Sequence, residues 1–464
     1  MKNVCLFVAA IFSMAPAFAL VRLPAVISSN MILQQQSGSK LWGWCDPGEK
    51  ISVKASWNNR VDSAKGTRDG NWMVEIPTPA AGGPYTVTIQ GQNTIVLENV
   101  LIGEVWVCSG QSNMEMSGSW GLPDVRAELP QCYTNDIHFF HIPRTTARSP
   151  QDDCKGEWTL CDSNTLKNFS AAAYFFGKKL NAGLHVPVGL IEVAWGGTPA
   201  EVWTPEGSVA GDSLLQQAAA KQQPSDWWPY LPGYCYNGMI APVTSYNIAG
   251  AIWYQGEGNT VAPQTYGRLF RTMIGSWRKA WNKDLPFYYV QIAPFTYGTK
   301  DQGSLLREQQ AQAMSLGNTG MVVISDITGD TADIHPKDKH DVGLRLANWA
   351  LAETYHQPGI VYRSPAYRDM QVTGNKVVVN IADASDDLIV KGGPVRTMVI
   401  AGEDRIFYPA EVRVAGGRLI VWSKQVKAPV AVRYQFSNAG VGNIFGASGL
   451  PLAPFRTDDW VVGQ

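Results

Sequence analysis

Ser112 stands in Gly110-Gln111-Ser112-Asn113-Met114, directly after the apolar run Val105-Trp106-Val107-Cys108. A buried strand ending in a tight glycine turn holds such a hydroxyl at its tip, but serine is a poor nucleophile until a neighbouring base takes its proton. Alone the pattern is weak, because most such serines only cap the following helix. A base must come from six histidines: His138, His141, His185, His335, His340 and His356. His335 follows the apolar stretch Met321 to Ser325 by a loop and precedes Pro336, which suits the first turn of a helix. His340 lies inside that helix, where a solvated side chain is expected. Gly196 and Gly197 follow the apolar run Val188 to Ala194, and without Cβ atoms they let backbone N–H groups approach a ligand closely. Gln255 ends the run Ile248 to Tyr254 and carries an amide NH2 that can point at the same place. A serine, an imidazole and converging N–H donors from Ser112, Gly197 and Gln255 are the parts of an acyl-transfer site with an oxyanion hole. Each donor in such a hole is worth roughly 3 kcal/mol.

For these residues to meet, the runs that carry them must lie side by side. Val105 to Cys108, Val188 to Ala194, Ile248 to Tyr254, Phe287 to Ile292 and Met321 to Ser325 alternate with helix-like segments at about 168–182, 264–281, 304–316 and 337–355, the first closed by Gly183. This alternation predicts an α/β unit whose parallel sheet is covered on both faces and binds ligands at the carboxyl ends of its strands. Before it, Leu41 to Trp44, Ile51 to Ala55, Trp72 to Ile76 and Tyr85 to Ile89 are separated by Asp-Pro-Gly, Asp-Gly-Asn and Gly-Gly-Pro turns, the pattern of a small β-sandwich. After about residue 360, β-branched runs at 376–381, 398–400, 411–414, 419–422 and 430–434 predict a second β-domain. The expected division is a signal peptide over 1–19, an N-terminal β-sandwich over 20–100, a catalytic domain over 101–360 and a C-terminal β-domain over 361–464. No low-complexity linker separates these parts, so they are expected to pack against one another.

Lys and Arg number 38 against 39 Asp and Glu, a net charge of -1, so no sequence-wide field draws in nucleic acid or an acidic membrane. With 17% charged and 45% hydrophobic residues the chain is globular rather than disordered. Met1-Lys2-Asn3, the apolar stretch from Val4 and the small-x-small site Ala17-Phe18-Ala19 read as a cleaved export signal. The apolar part is shorter than the roughly 20 residues that span a bilayer. Export predicts a secreted or periplasmic protein with no membrane span after cleavage. Cleavage also removes Cys5 and leaves Cys45, Cys108, Cys132, Cys154, Cys161 and Cys235, an even number that permits disulfides. Cys154 and Cys161, close together in a polar stretch, are the first candidate pair, and Cys108 reads as a buried free thiol. No HExxH, GxGxxG or P-loop is present, so neither a metal nor a cofactor is expected. The sequon Asn168-Phe169-Ser170 reads as a helix start.

Four blocks in order resemble the sialate O-acetylesterase-like branch of the SGNH hydrolases: Gly103-Glu104-Val105-Trp106 with Gly110-Gln111-Ser112-Asn113-Met114, then Trp195 to Glu201, then Trp253-Tyr254-Gln255-Gly256-Glu257-Gly258-Asn259, then Asp333-Ile334-His335-Pro336. Asn30-Met31-Ile32-Leu33-Gln34, Gly449-Leu450-Pro451 and Pro454 to Asp458 extend the resemblance over nearly the whole chain. It implies an SGNH-type three-layer α/β/α sandwich with flanking β-domains, a Ser112 nucleophile and a His335 base. It also implies one polar amide of the third block in the oxyanion hole, Gln255 first and Asn259 second. Many SGNH enzymes carry Asp three positions before the histidine. Here that position is Ala332, which leaves Asp333, favoured by proximity, with Asp330, Asp326 or a dyad oriented by a backbone carbonyl as alternatives.

The activity this implies is hydrolysis of O-acetyl esters on a carbohydrate, either sialic acid or a plant cell-wall polysaccharide such as xyloglucan or xylan. The blocks handle the acetyl group and leave the sugar to the loops. Those loops carry Trp120, Trp203, Trp227 and Trp228, and the run Trp227-Trp228-Pro229-Tyr230 serves equally as a sugar platform or as packing. A carbohydrate-binding protein with a degenerate hydrolase core is the non-enzymatic alternative. A lipase or protease is disfavoured because the Gly-x-Ser-x-Gly elbow is absent.

Overall fold

The structure, a computed structural model, describes residues 20–58, 60–384 and 387–462, so the expected signal peptide lies outside the described residues. Its axis is a 17-residue strand, β1 (Thr94–Gly110). Around the C-terminal half of β1 lie β2 (Thr134–His141), β3 (Trp158–Cys161), β4 (Val188–Ala194), β5 (Gly250–Tyr254), β6 (Phe287–Val290) and β7 (Thr319–Val322). They follow the order β7-β6-β5-β1-β4-β2-β3, parallel throughout except for the antiparallel edge strand β3.

The strands are apolar on both faces because helices cover both. Val105 and Val107 of β1 enter one core with Phe270, Ile274 and Trp277 of α2 (Tyr266–Trp281) and Leu306 of α3 (Gln302–Ala313). Trp106 and Cys108, one residue out of phase, enter the other with Phe175, Phe176 and Leu180 of α1 (Ala171–Leu184) and Val342 and Leu346 of α4 (Lys339–Trp349). The result is the three-layer α/β/α sandwich. Local signals set the helix ends: Ser170 caps α1 through Ala173 N–H, Asp338 caps α4 through Asp341 N–H, and Asn282, left-handed at φ 50°, closes α2 after Arg278 and Lys279. Asn168 of the sequon therefore sits just before α1, as the C-cap of the short helix Ser163–Lys167.

The N-terminal half of β1 belongs to a different layer. It pairs antiparallel with Gly82–Gln90, which continues to Lys50–Ala55 and Val61–Lys65, while Ile32–Gln34 pairs parallel with Leu101, Ile102 and Gly103. A second ribbon, Gly38–Trp44 with Asn71–Pro77, completes this β-region, whose apolar residues join the same core as α2. β1 thus runs unbroken across the boundary expected at residue 100.

Beyond residue 365, two four-stranded antiparallel sheets and a short ribbon enclose a core of their own around Val379, Ile400, Leu419, Val432 and Ile444. This region is fastened to α3. The buried Arg307 guanidinium donates to the carbonyls of Gln435, Ser437 and Asn438, and Arg456 forms a two-point ion pair with Glu308 at 2.6 and 2.9 Å. Asn438 in turn reaches Thr299 O at 2.7 Å and takes the Gly303 N–H at 2.9 Å.

The pairing expected for Cys154 and Cys161 is not formed. The six described cysteines are free; Cys154 packs against the N-terminal core, whereas Cys161 ends β3 with its thiol donating to Cys132 O at 3.2 Å. Proximity in sequence misled here because β3 carries Cys161 away from Cys154 and toward the chain entering β2. No helix among the described residues is long and apolar enough to cross a membrane.

Candidate active site

Register brings the chemistry together. Ala194 and Tyr254, the last residues of β4 and β5, both lie opposite Gly110 at the end of β1, so the three turns that follow leave the sheet side by side. Gly110, at φ 147°, passes so close to β5 that a Cβ would stand 2.2 Å from Tyr254 O; no other residue fits there. The chain then makes one helical turn, Ser112–Glu115, with Ser112 at its start.

Ser112 Oγ lies 2.9 Å from His335 Nε2, across 223 residues of sequence. His335 is half-buried on the loop leading to α4, in a T-shaped contact with the Trp120 ring at 5.7 Å between centroids. Burial holds its imidazole below the ordinary histidine range, the nearby Lys339 charge pushes the same way, and Asp333 opposes both. Asp333 Oδ1 accepts the His335 backbone N–H at 2.9 Å and stands 3.8 Å from Nδ1, beyond a hydrogen bond to the ring. The alternative acids are turned elsewhere: Asp326 forms a two-point pair with Arg345, and Asp330 accepts the Ala332 N–H.

The donors are arranged differently from expectation. Gln255 is fully buried, its NH2 engaged by Thr198 O and Asn259 Oδ1 and its oxygen taken by the Tyr266 hydroxyl. Asn259 is equally engaged, accepting from Ala200 N and Gln255 and donating to Glu201. Neither amide is brought to Ser112; both brace the turns beneath it. The side chain that lines the cavity beside Ser112 is Gln111. Its Oε1 accepts the N–H groups of Gly258 at 3.1 Å and Gly256 at 3.4 Å, which obliges its NH2 to face the other way, with no protein acceptor among the described residues. Gly197, at φ 80°, lines the cavity with no backbone acceptor for its N–H among the described residues, and it leaves room for the Trp228 ring only because it lacks a Cβ, which would stand 2.3 Å from that ring. Glu115 fixes this turn by accepting the Gly196 N–H at 2.8 Å, and is itself held by Arg144 at 2.7 and 2.8 Å.

These residues surround an open cavity of about 490 Å³. Trp227, 78% exposed, and the half-buried Trp228 form part of its wall, and Trp120, against the His335 ring, forms another part. Trp203 does not belong to it. That ring is wholly buried, edge-on to Trp253, with its N–H on Thr198 Oγ1. The nearest approach to a metal-ligand cluster among the described residues, Asp338, His340 and Asp341, is engaged in capping α4 and in the His340–Asp341 contact.

Sequence reasoning passed over Gln111, Glu115, Arg144 and Lys339. A signal existed only for Gln111, which sits in the same block as Ser112; the others depend on partners far away in the chain.

The profile described as carbohydrate esterase, sialic acid-specific acetylesterase, matches residues 102–352. Sialate O-acetylesterase of Homo sapiens is 27% identical over 399 residues, covering 78% of this chain and 76% of the relative. The protein of the same name from Rattus norvegicus is 26% identical over 431 residues, covering 78% of each. Among solved structures, a carbohydrate acetylesterase from Xanthomonas citri superposes with a TM-score of 0.87 at 35% identity, covering 95% of this chain and all of that one.

Proposed function

Because the chain belongs to the sialic acid-specific acetylesterase family of carbohydrate esterases, we propose that it is exported and removes O-acetyl groups from a sialic acid, with Ser112 as nucleophile and His335 as base. The 2.9 Å contact between Ser112 Oγ and His335 Nε2 at an open cavity carries this reading. With Nδ1 protonated toward Asp333, Nε2 accepts the Ser112 proton as Oγ attacks the acetyl carbonyl. The oxyanion takes the N–H groups of Ser112 and Gly197 and the Gln111 NH2. On collapse, His335 returns the proton to the departing sugar oxygen and leaves acetyl-Ser112. A water deprotonated by His335 then attacks the acyl carbonyl, and on collapse His335 returns that proton to Oγ as acetate departs, which restores Ser112 and the neutral imidazole.

Acidic and neutral sugars differ in what the wall must offer. Arg144 is on that wall but shares its charge with Glu115, so a carboxylated sugar is met by the outer N–H groups of a paired guanidinium. A neutral acetylated polysaccharide, lying across Trp227 and Trp228, is the second reading, and the exposure of Trp227 favours it. Acetate release from acetylated sialic acid, xylan, xyloglucan and an aryl acetate tests both. Ser112→Ala must abolish release from every substrate while leaving the fold intact; retained activity overturns the nucleophile assignment, and preference for xylan or xyloglucan overturns the sialic acid assignment.

A further inference from the structure

Beneath the Ser112–His335 contact lies a second polar network that takes no part in the proton transfers above. Lys339, the first residue of α4, is fully buried, and its Nζ donates to Asn113 Oδ1 at 2.7 Å. The Asn113 NH2 donates in two directions, to Glu257 Oε1 at 2.7 Å and to Ile334 O at 3.1 Å. Only one orientation of this amide works. Ile334 O can only accept, so the NH2 must face it, and the amide oxygen must then face a donor, which among the described residues Lys339 supplies. Asn113 follows the nucleophile and Ile334 precedes the histidine, so one side chain joins the two loops that must hold a 2.9 Å contact.

We propose that Lys339 is a positioning residue for the reaction: by fixing the Asn113 amide it locks the Ser112 turn to the His335 loop. This rests on the esterase reading above and extends it. The surroundings show that the arrangement costs stability. Burial drives the Lys339 ammonium down to about 7 and raises the Glu257 carboxyl, whose second oxygen has no hydrogen-bond partner among the described residues. Lys339 and Glu257, joined through Asn113, are maintained in the interior against their desolvation cost, and replacing buried ionic groups by apolar side chains is often neutral or stabilising. The groups facing Lys339 are Glu257 from the turn after β5, Asp124 from the short helix Pro123–Glu128, Asp333 and His335 from the catalytic loop, its own cap Asp338, and the Tyr254 ring 5.1 Å from Nζ.

Two variants separate position from charge. Lys339→Met removes the donor and the charge. Asn113→Ser removes the bridge and keeps the charge. Both are expected to lower kcat about 100-fold with little change in KM, as for a misplacement of about an ångström between reacting groups. The double variant should lose little more than either alone, because both break one link. The acid limb of kcat/KM, which reports free imidazole, should move to higher pH in Lys339→Met, where a positive neighbour of His335 is gone, and stay in place in Asn113→Ser. The limb therefore reports the Lys339 charge, whereas a lowered kcat at unchanged KM and Tm reports the positioning role, which a purely structural one would not produce. A folded Lys339→Met or Asn113→Ser enzyme with wild-type kcat overturns the proposal. If Lys339→Met does not fold, kcat of Asn113→Ser decides. Ser112→Ala run alongside keeps the two readings apart: an active Ser112→Ala refutes the esterase mechanism itself, whereas an inactive Ser112→Ala beside active Lys339→Met and Asn113→Ser refutes only the positioning role.

Discussion

Asp333→Asn offers a quantitative test of how His335 is oriented. The substitution keeps an oxygen for the His335 backbone N–H, so the loop is preserved while the charge is deleted. Where an aspartate bonds directly to the imidazole, the same change lowers kcat by about 10⁴. Here the carboxylate is 3.8 Å from Nδ1 with its side chain 41% exposed, so it acts on the developing imidazolium through space and through water. With an effective dielectric of about 40–80 at that distance the interaction is about 1–2 kcal/mol, a factor of roughly 5 to 40 in rate. The assay is acetate release from an aryl acetate under saturating conditions, with the pH profile of kcat/KM. Because Asp333 raises the proton affinity of His335, its removal should also move the acid limb to lower pH, opposite in sign to Lys339→Met. A loss of 10³-fold or more would refute the through-space account, since it requires a direct bond to Nδ1.

Gln111→Ala removes the amide donor beside Ser112 and should lower kcat by about 10²–10³ with KM nearly unchanged; a loss under threefold would take Gln111 out of the oxyanion hole. Gln255→Ala should appear chiefly as a lower Tm, since its buried amide supports Thr198, Asn259 and Tyr266 at a cost of about 1–3 kcal/mol when partners are left unsatisfied. Trp227→Ala should raise KM for a glycan while leaving aryl acetate hydrolysis unaltered, and equal effects on both would exclude a sugar platform. Mild oxidation followed by peptide mapping should join Cys132 to Cys161, whose thiols are in hydrogen-bond contact, and leave Cys154 free.

What could be read in advance follows from how local each cause is. The alternation of Val105 and Val107 with Trp106 and Cys108 records two covered faces whatever the rest of the chain does, and α2 announces itself by Leu269, Phe270, Met273, Ile274 and Trp277. Among the strands missed, Val61–Lys65 and Ala366–Thr373 are largely solvent-exposed and carry no continuous apolar pattern, whereas Thr134–His141 and Trp158–Cys161 are partly buried but interleave polar residues with their apolar ones. For the amides, sequence places Gln111 and Gln255 alike at strand ends; Tyr266, Thr198 and the Gly256–Gly258 turn then decide which way each points. Trp203 lies in a segment that reads as a loop, yet a short helical turn at Ala200–Trp203 drives it into the core. Lys339, between Asp338 and His340, has every appearance of a solvated helix start, and its burial follows from Asn113 and Asp124 reaching it from distant parts of the chain.

The unbroken run of β1 bears on how this protein can be cut, permuted or recombined. One 17-residue strand begins as an edge partner of Gly82–Gln90 and ends two residues before the nucleophile. The β-region therefore cannot be exchanged as a cassette: a junction near residue 100 would fall in the middle of a hydrogen-bonded ladder and transmit any slip in register straight to Ser112. A chimera that respects this fold must inherit residues 94–110 together with both of the layers they stitch, and the position of Ser112 is in that sense dictated from the far end of the β-region.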